Sequence, residues 1–428
     1  MKFRIERDVL GEAVSWVARA LPTRPVVPVL SGMLVRADAD GLTLSCFDYE
    51  VSARIVVPAE VGEPGTALVP GRLLAEITRS LPPAPVEIAS VADMIMLTCG
   101  SAEFSLVSLS QEDYPALPEL PGVVGTVDGG VLATAAAQVV PSASRDDTLP
   151  MLTGVCLEVD GTSITMAATD RYRLAVRVIG WDPADPDFRA SALVPARTLA
   201  DIAKTMGPGV PVTVAFSQSG TGQAPAGQDR AADGMISFEG GGRRLTARLI
   251  GTEFIRYQSR FPAEFGCRAD LPAAAFAEAV RRVSLVADRA SPVRLAFRPD
   301  AVVIEAHSDG RARAVEAVPA TFAGAEQAIS FNPHYLLDGL AAAAMCAQDR
   351  EDAEPGAAGA GRVRLEFTSP AKPALITWAG GEPRAGTRGE DDAESATGPE
   401  QDEPAPEQGS RPAAFRYLVV PLRVTAGG

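Results

Sequence analysis

The sequence predicts an α+β protein made of three copies of one unit, each with two helices packed on antiparallel sheets. Three observations predict it. A strand–turn–strand–aspartate–strand pattern occurs three times, a proline-led amphipathic helix follows each copy, and another amphipathic stretch precedes each. At 428 residues the chain exceeds what one hydrophobic core ordinarily serves, so about two to four domains are expected.

The strand pattern reads SGMLVRADADGLTLSCFDYEVSARIVV from Ser31, LTGVCLEVDGTSITMAATDRYRLAVRV from Leu152 and PVRLAFRPDAVVIEAHSDGRARAVEAV from Pro292. In each, period-2 alternation marks the strands, an Asp- or Gly-bearing turn joins the first two, and an aspartate (Asp48, Asp170, Asp309) precedes the third. An aspartate recurring in every copy is expected to cap the turn before that strand. The following helices are VPGRLLAEITRSL, VPARTLADIAKTM and FNPHYLLDGLAAA, with prolines at Pro70, Pro195 and Pro333. The aspartate-to-proline distances are 22, 25 and 24 residues, a register that chance similarity would not hold three times. Proline suits a helix start because its missing N–H has no partner there anyway. In the first copy Leu73, Leu74, Ile77 and Leu81 form the apolar stripe. The helix ahead of that copy has its stripe at Val9, Leu10, Ala13, Val14, Val17 and Leu21, and its counterparts begin near Val131 and Ala273.

Turn-rich stretches near Gly122–Asp128 and Pro262–Cys267 divide the chain into domains at 1–123, 127–264 and 265–424. Residues 217–234 and 348–361 read as inserted loops. Residues 379–411 carry nine acidic side chains against three arginines and read as a disordered acidic insertion, since they offer too little apolar surface to order themselves.

Apolar residues make up 46% and charged residues 22% of the chain, a globular composition. No apolar run reaches the roughly 18–20 residues that span a bilayer. The opening MKFRIERDVL lacks the basic-then-apolar order of a signal peptide, so a cytoplasmic protein is expected. Five scattered cysteines (Cys46, Cys99, Cys156, Cys267, Cys346) with no CxxC argue against a disulfide framework or a cysteine zinc site. A net charge of −15, taken alone, argues against nucleic-acid binding.

The motifs that carry chemistry are missing. Only His307 and His334 are present, in different segments of the last repeat, which leaves no material for a two-histidine metal motif, a histidine-centred triad or a zinc deaminase signature. No GxxxxGK[ST] or strand-following GxGxxG occurs, and Gly240–Gly242 reads as a hairpin turn rather than a phosphate cradle. Asp146–Asp147 reads as a solvated turn. Neither a catalytic residue, a metal nor a cofactor is called for.

Eight stretches in order resemble the bacterial DNA polymerase III beta subunit, the sliding clamp family: MKFRIERDVL, RPVVPVL (Arg24–Leu30), VPGRLLAEI, FSLVSL with YPALP, DDTLPMLTGV, ATDRYRLAV, YQSRFP and YLVVPLRV. The resemblance implies three DNA-clamp domains forming half of a closed ring, completed by a head-to-tail homodimer around double-stranded DNA. It implies a processivity factor that tethers polymerase and clamp loader subunits through short apolar peptides. A ring also accommodates the acidic charge, because only the lining of the hole meets DNA.

Residues facing DNA would be Arg24, Arg72, Arg145 and Arg197, to which the helical pattern adds Lys204, Arg281 and Arg282, all touching phosphates loosely. The partner-peptide pocket, between the second and third repeats, would take Leu152, Thr169, Tyr172, Arg173, Leu174, Ile255, Val419, Val420, Pro421 and Leu422. Its apolar walls with one arginine suit a peptide with hydrophobic anchors and a polar handle. The dimer interface would pair Phe104 and Leu106, on an edge strand, with Leu285 and Val286. The chain departs from well-known members at Pro150 and Met151, where an aromatic pair is usual, and at Ile255, where a proline is. Two alternatives stay open: a specialised paralogous clamp with an altered pocket, and a cleft enzyme using the repeated carboxylates.

Overall fold

The computed structural model describes residues 1–118, 122–216, 234–288, 291–308, 311–346, 361–379 and 415–422. Asp309 lies outside them, as do the segments 217–234, 348–361 and 379–411 apart from Gly234, Gly361 and Ala379 at their ends. The chain forms two compact units, one of Met1–Ala168 with Ile179–Ile255, the other of Thr169–Val178 with Arg256–Gly428.

The three strand patterns fold as read. They give Gly32–Asp38, Gly41–Phe47 and Val51–Val57; then Gly154–Asp160, Ser163–Thr169 and Arg173–Gly180; then Val293–Phe297, Ala301–Ser308 and Ala312–Pro319. In the first unit Val51–Val57 pairs antiparallel with Arg243–Arg248 from the second repeat, so one nine-stranded sheet runs through two repeats. That shared sheet is why contacts group those repeats as one body. Central strand Gly41–Phe47 is buried along its whole length, since it carries strands on both sides and is covered on both faces. The Met235–Gly240 and Arg243–Arg248 hairpin turns through Gly241 and Gly242 at φ 58° and 75°. Two successive left-handed residues are what a tight hairpin turn demands, so the Gly240–Gly242 run is indeed the turn.

A five-stranded sheet in the same unit runs Glu60–Glu63, Lys2–Ile5, Val86–Val91, Met94–Cys99, Ala102–Val107, leaving Ala102–Val107 as an edge. In the second unit, Phe415–Val419 pairs with Arg173–Gly180 on one side and Ala374–Trp378 on the other. A segment near the end of the sequence is thus an interior strand, completed by chain far away from it. The four-stranded sheet runs Ala312–Pro319, Ala301–Ser308, Val293–Phe297, Gln327–Phe331.

Among the described residues six α-helices pack in pairs: α1 (Arg7–Ala18) with α2 (Gly71–Ser80), α3 (Gly129–Val139) with α4 (Ala196–Ala203), and α5 (Ala273–Ser284) with α6 (Pro333–Met345). In α1 the buried face is Leu10, Ala13, Val14, Trp16 and Val17; Val9 is half-buried, and Leu21 is buried beyond the helix end. The α2 stripe needs one correction. Leu74, Ile77 and Leu81 are buried, but Leu73 is 46% exposed. At 100° per residue it sits beside the Leu74–Ile77 line, not on it.

The prolines mark the helix starts in two ways, just before the first turn or within it. Pro70 and Pro195 are the N-caps of α2 and α4, whereas α6 is capped by Asn332 and has Pro333 at its first position. The Asn332 side chain accepts from the His334 N–H at 2.9 Å. Aligned on their caps, the second helices carry Glu76, Asp201 and Asp338 at the same place, six residues on.

Candidate functional site: a differentiated turn against a helix

Asp48 and Asp170 perform the same local task. Oδ1 of Asp48 accepts from the N–H groups of Glu50 and Val51 at 3.0 and 2.7 Å, and Oδ1 of Asp170 from those of Tyr172 and Arg173, both at 3.0 Å. The residue after each aspartate is left-handed, Tyr49 at φ 73° and Arg171 at φ 80°. Carboxylates that satisfy a turn in this way stabilise the backbone. This use of Asp48 and Asp170 removes the support for a cleft enzyme built on the repeated carboxylates.

What differs between the copies is the far side of the turn. The first repeat has Tyr49, Glu50 and Val51 where the second has Arg171, Tyr172 and Arg173. Thr169 adds a further lock: its Oγ1 donates to the Arg173 carbonyl at 2.6 Å and accepts from the Arg171 N–H at 3.1 Å. Arg173 then reaches across to α6. Its Nε donates to Asp170 Oδ2 at 2.9 Å, its Nη1 donates to Asp338 Oδ2, and its guanidinium lies 4.5 Å from the centre of the Tyr335 ring. The Tyr172 and Tyr335 rings are stacked, 6.1 Å apart and 19° from parallel. Burial works against the charge on Arg173, but Tyr417, Asp338 and Asp170 more than offset it and hold the group above its ordinary range.

The last strand completes the arrangement. Arg173 pairs with Val419 in register, the Val420 N–H donates to the Tyr172 carbonyl at 2.8 Å, and the Leu422 N–H to the Ser330 carbonyl at 2.7 Å. The buried Tyr417 hydroxyl donates to the Tyr335 carbonyl at 2.8 Å, and burial raises its pKa. Gly339 permits this closeness, because a Cβ there would stand 2.5 Å from Tyr417 Cε1.

Of the expected pocket residues, Thr169, Tyr172, Arg173, Leu174, Val419, Val420, Pro421 and Leu422 therefore gather in the second unit. Leu174, Val419 and Pro421 are buried, while Tyr172 is 49% and Val420 36% exposed. Leu152 and Ile255 belong to the first unit, the former buried and the latter half-buried. The sequence reading missed Tyr335, Asp338 and Tyr417. Tyr335 and Asp338 are three apart on one helix, a spacing that puts them on one face, but nothing in the sequence says that this face meets Arg173.

The expected DNA-facing residues Arg24, Arg72, Arg145, Arg197, Lys204, Arg281 and Arg282 are all exposed. Arg72 Nη2 donates to the Leu21 and Pro22 carbonyls at 3.2 and 3.0 Å, joining α2 to the end of α1. Arg197 and Lys204 flank Asp201 together with Arg19, a basic residue the sequence reading passed over; burial raises the Asp201 pKa while those three cations pull it down. Arg281 and Arg282 are the weaker members, because Glu278 pairs with both and Glu316 holds Arg282. Locally the two charges are compensated. Asp146, for its part, accepts from the Thr148 N–H and hydroxyl in a local turn, as expected of a solvated loop.

At the expected interface, Leu285 is 83% exposed and Phe104 and Val286 are half-buried. Leu106 is 2% exposed, so its side chain belongs to the core of its own sheet and only its backbone edge is free to meet a partner.

Three repeats of one unit, each with a pair of helices packed on antiparallel sheets, define the class of repeat scaffold to which the chain belongs. Family models of the DNA polymerase III beta subunit match its N-terminal domain to residues 1–118, its central domain to 126–255 and its C-terminal domain to 258–348. The beta sliding clamp of Streptomyces coelicolor is 46% identical over 425 residues, 99% of this chain and all of that one. The beta sliding clamp of Micrococcus luteus is 46% identical over 75% of this chain and 99% of its own. The crystal structure of the sliding clamp from Bacillus subtilis shares the fold, with a TM-score of 0.78 at 24% identity over 99% of this chain and 100% of that one. The chain belongs to the DNA polymerase III beta subunit family, and its function is that of a DNA sliding clamp.

Proposed function

We propose that two copies of the chain close head to tail into a ring around duplex DNA and act there as a processivity factor with no catalytic site of their own. The observation that carries this is a pair of sheet edges. Ala102–Val107 ends one sheet in the first unit, and Ala312–Pro319 ends another in the second. The other edge of that second sheet, Gln327–Phe331, receives Leu422 on Ser330. Open edges invite pairing with another chain. An edge on each unit makes a heterologous contact that closes when the second copy returns it. Exposed Val107, Leu285 and Val315 flank these edges and would be covered.

In this reading Arg24, Arg72, Arg145, Arg197 and Lys204, helped by Arg19, hold phosphates loosely enough for sliding, and Arg281 and Arg282 contribute less. The Thr169–Leu174 and Val419–Leu422 segments receive a short apolar peptide from polymerases and the clamp loader. The work is cytoplasmic, on the nucleoid. Among the described residues no helix is long and apolar enough to cross a membrane.

Retention on DNA tests the ring. After incubation with a clamp loader and ATP, the protein is expected to stay on circular DNA and run off linear ends. Equal retention on both forms would overturn topological linkage.

A further inference from the structure

We propose that Asp338 is a positioning residue which makes Arg173 a strut rather than a ligand-binding cation, leaving the Tyr172–Tyr335 ring pair as the surface that recognises the peptide. The inference rests on the peptide-pocket reading above and assigns the parts within it.

A guanidinium recognises a carboxylate or amide by offering free N–H groups in a fork. Arg173 has its Nε committed to Asp170 and an Nη1 hydrogen to Asp338, and its flat face lies on Tyr335. Its side chain is 10% exposed. Two carboxylates meet the positive charge of Arg173, so its guanidinium offers no uncompensated charge to an incoming acid. The accessible surface is aromatic instead, with Tyr172 49% exposed and stacked on Tyr335.

Asp338 sets this state. It is the acidic residue found at the same place in every second helix, as Glu76, Asp201 and Asp338, and among the described residues it is Asp338 that meets a cation delivered by an aspartate turn. Being three residues beyond Tyr335 on α6, it holds the guanidinium over that ring. Asp170 cannot substitute for it, because one Asp170 oxygen already holds the turn. The ligand chemistry that fits is a neutral, flat or branched apolar side chain laid on the rings, with peptide N–H and C=O groups met by backbone.

The test uses the full chain and a synthetic pentapeptide of apolar residues with one phenylalanine, against the same peptide with a glutamate in place of that ring. Wild type should bind the phenylalanine peptide with an affinity flat in salt from about 50 to 500 mM, since no ligand ion pair is screened. Asp338→Ala should weaken that peptide about tenfold and make the glutamate peptide bind in a salt-dependent way, as the released guanidinium becomes available. Asp338→Glu should restore the wild-type pattern, and Asp338→Asn, which keeps the shape, should follow Asp338→Ala. Because the Asp338 side chain is 44% exposed, these variants should fold, and their melting curves check it. If wild-type binding already falls steeply with salt, or Asp338→Ala matches wild type in affinity and selectivity, the strut is wrong while the pocket stands. If wild type binds neither peptide and Tyr172→Ala leaves polymerase stimulation intact, the pocket reading itself falls and takes the inference with it.

Discussion

A single carboxylate oxygen organises the turn at Asp48 and again at Asp170, and its loss is a test at the scale of one residue. Asp48→Ala removes the acceptor of two backbone N–H groups and should lower stability by about 1–2 kcal/mol, read as a shift in the urea midpoint. Arg171→Gly runs the other way. Arg171 is held at φ 80°, and glycine there should raise the midpoint by up to about 1 kcal/mol. The thiols give a pH dependence. Burial pushes Cys46 up to about 12 and Cys156 up to about 11 from an ordinary 9.0. Above pH 9 the unfolded chain sheds these protons while the native one keeps them, so stability falls as pH rises from 9 towards 12. The midpoint should therefore drop between pH 8.5 and 10.5, and less so in Cys46→Ala. With four cysteines buried and Cys346 half-buried, alkylation of the native protein at pH 7.5 should modify Cys346 first.

Among the elements, α6 depends most on a detail of its neighbour. Gly339 lets it close on the Tyr417 ring and Ile376, and a methyl group there has no room. Gly339→Ala should cost about 1–3 kcal/mol by overpacking. A calorimetric melt would show it, and peptide affinity should fall with it because Tyr335 and Asp338 ride on the same helix. The repeats also show how elements of one design diverge. Their strand triplets and prolines were legible from periodicity and spacing alone, since both follow from local sterics and the burial of one face. The one-residue shift at α6 was not, because Asn332 and Pro333 both suit a helix start and only the cap geometry decides between them.

For the whole molecule, assembly is the property to test. Leu285→Arg puts a charge on a residue 83% exposed in the single chain, so the fold should survive while the dimer is lost. Sedimentation should report a monomer with an unchanged melting temperature, and retention on circular DNA should fall to the level of linear DNA. A dimer of wild-type affinity would remove Leu285 from the interface.

The amino-acid order determined the repeat count, the strand triplets, the helix starts and the family, because each depends on patterns within a few tens of residues or on motifs that stand in line. It also supplied most of the residues proposed for the peptide site, through the ATDRYRLAV and YLVVPLRV matches. Tertiary structure alone decided which groups are spoken for. Leu106 lies inside its sheet, Leu73 outside its stripe, and Arg281 and Arg282 against carboxylates. Tyr335 and Asp338 join Arg173 across 162 and 165 residues of chain. Contacts of that separation follow from how sheets pair and helices pack, and no local periodicity encodes them.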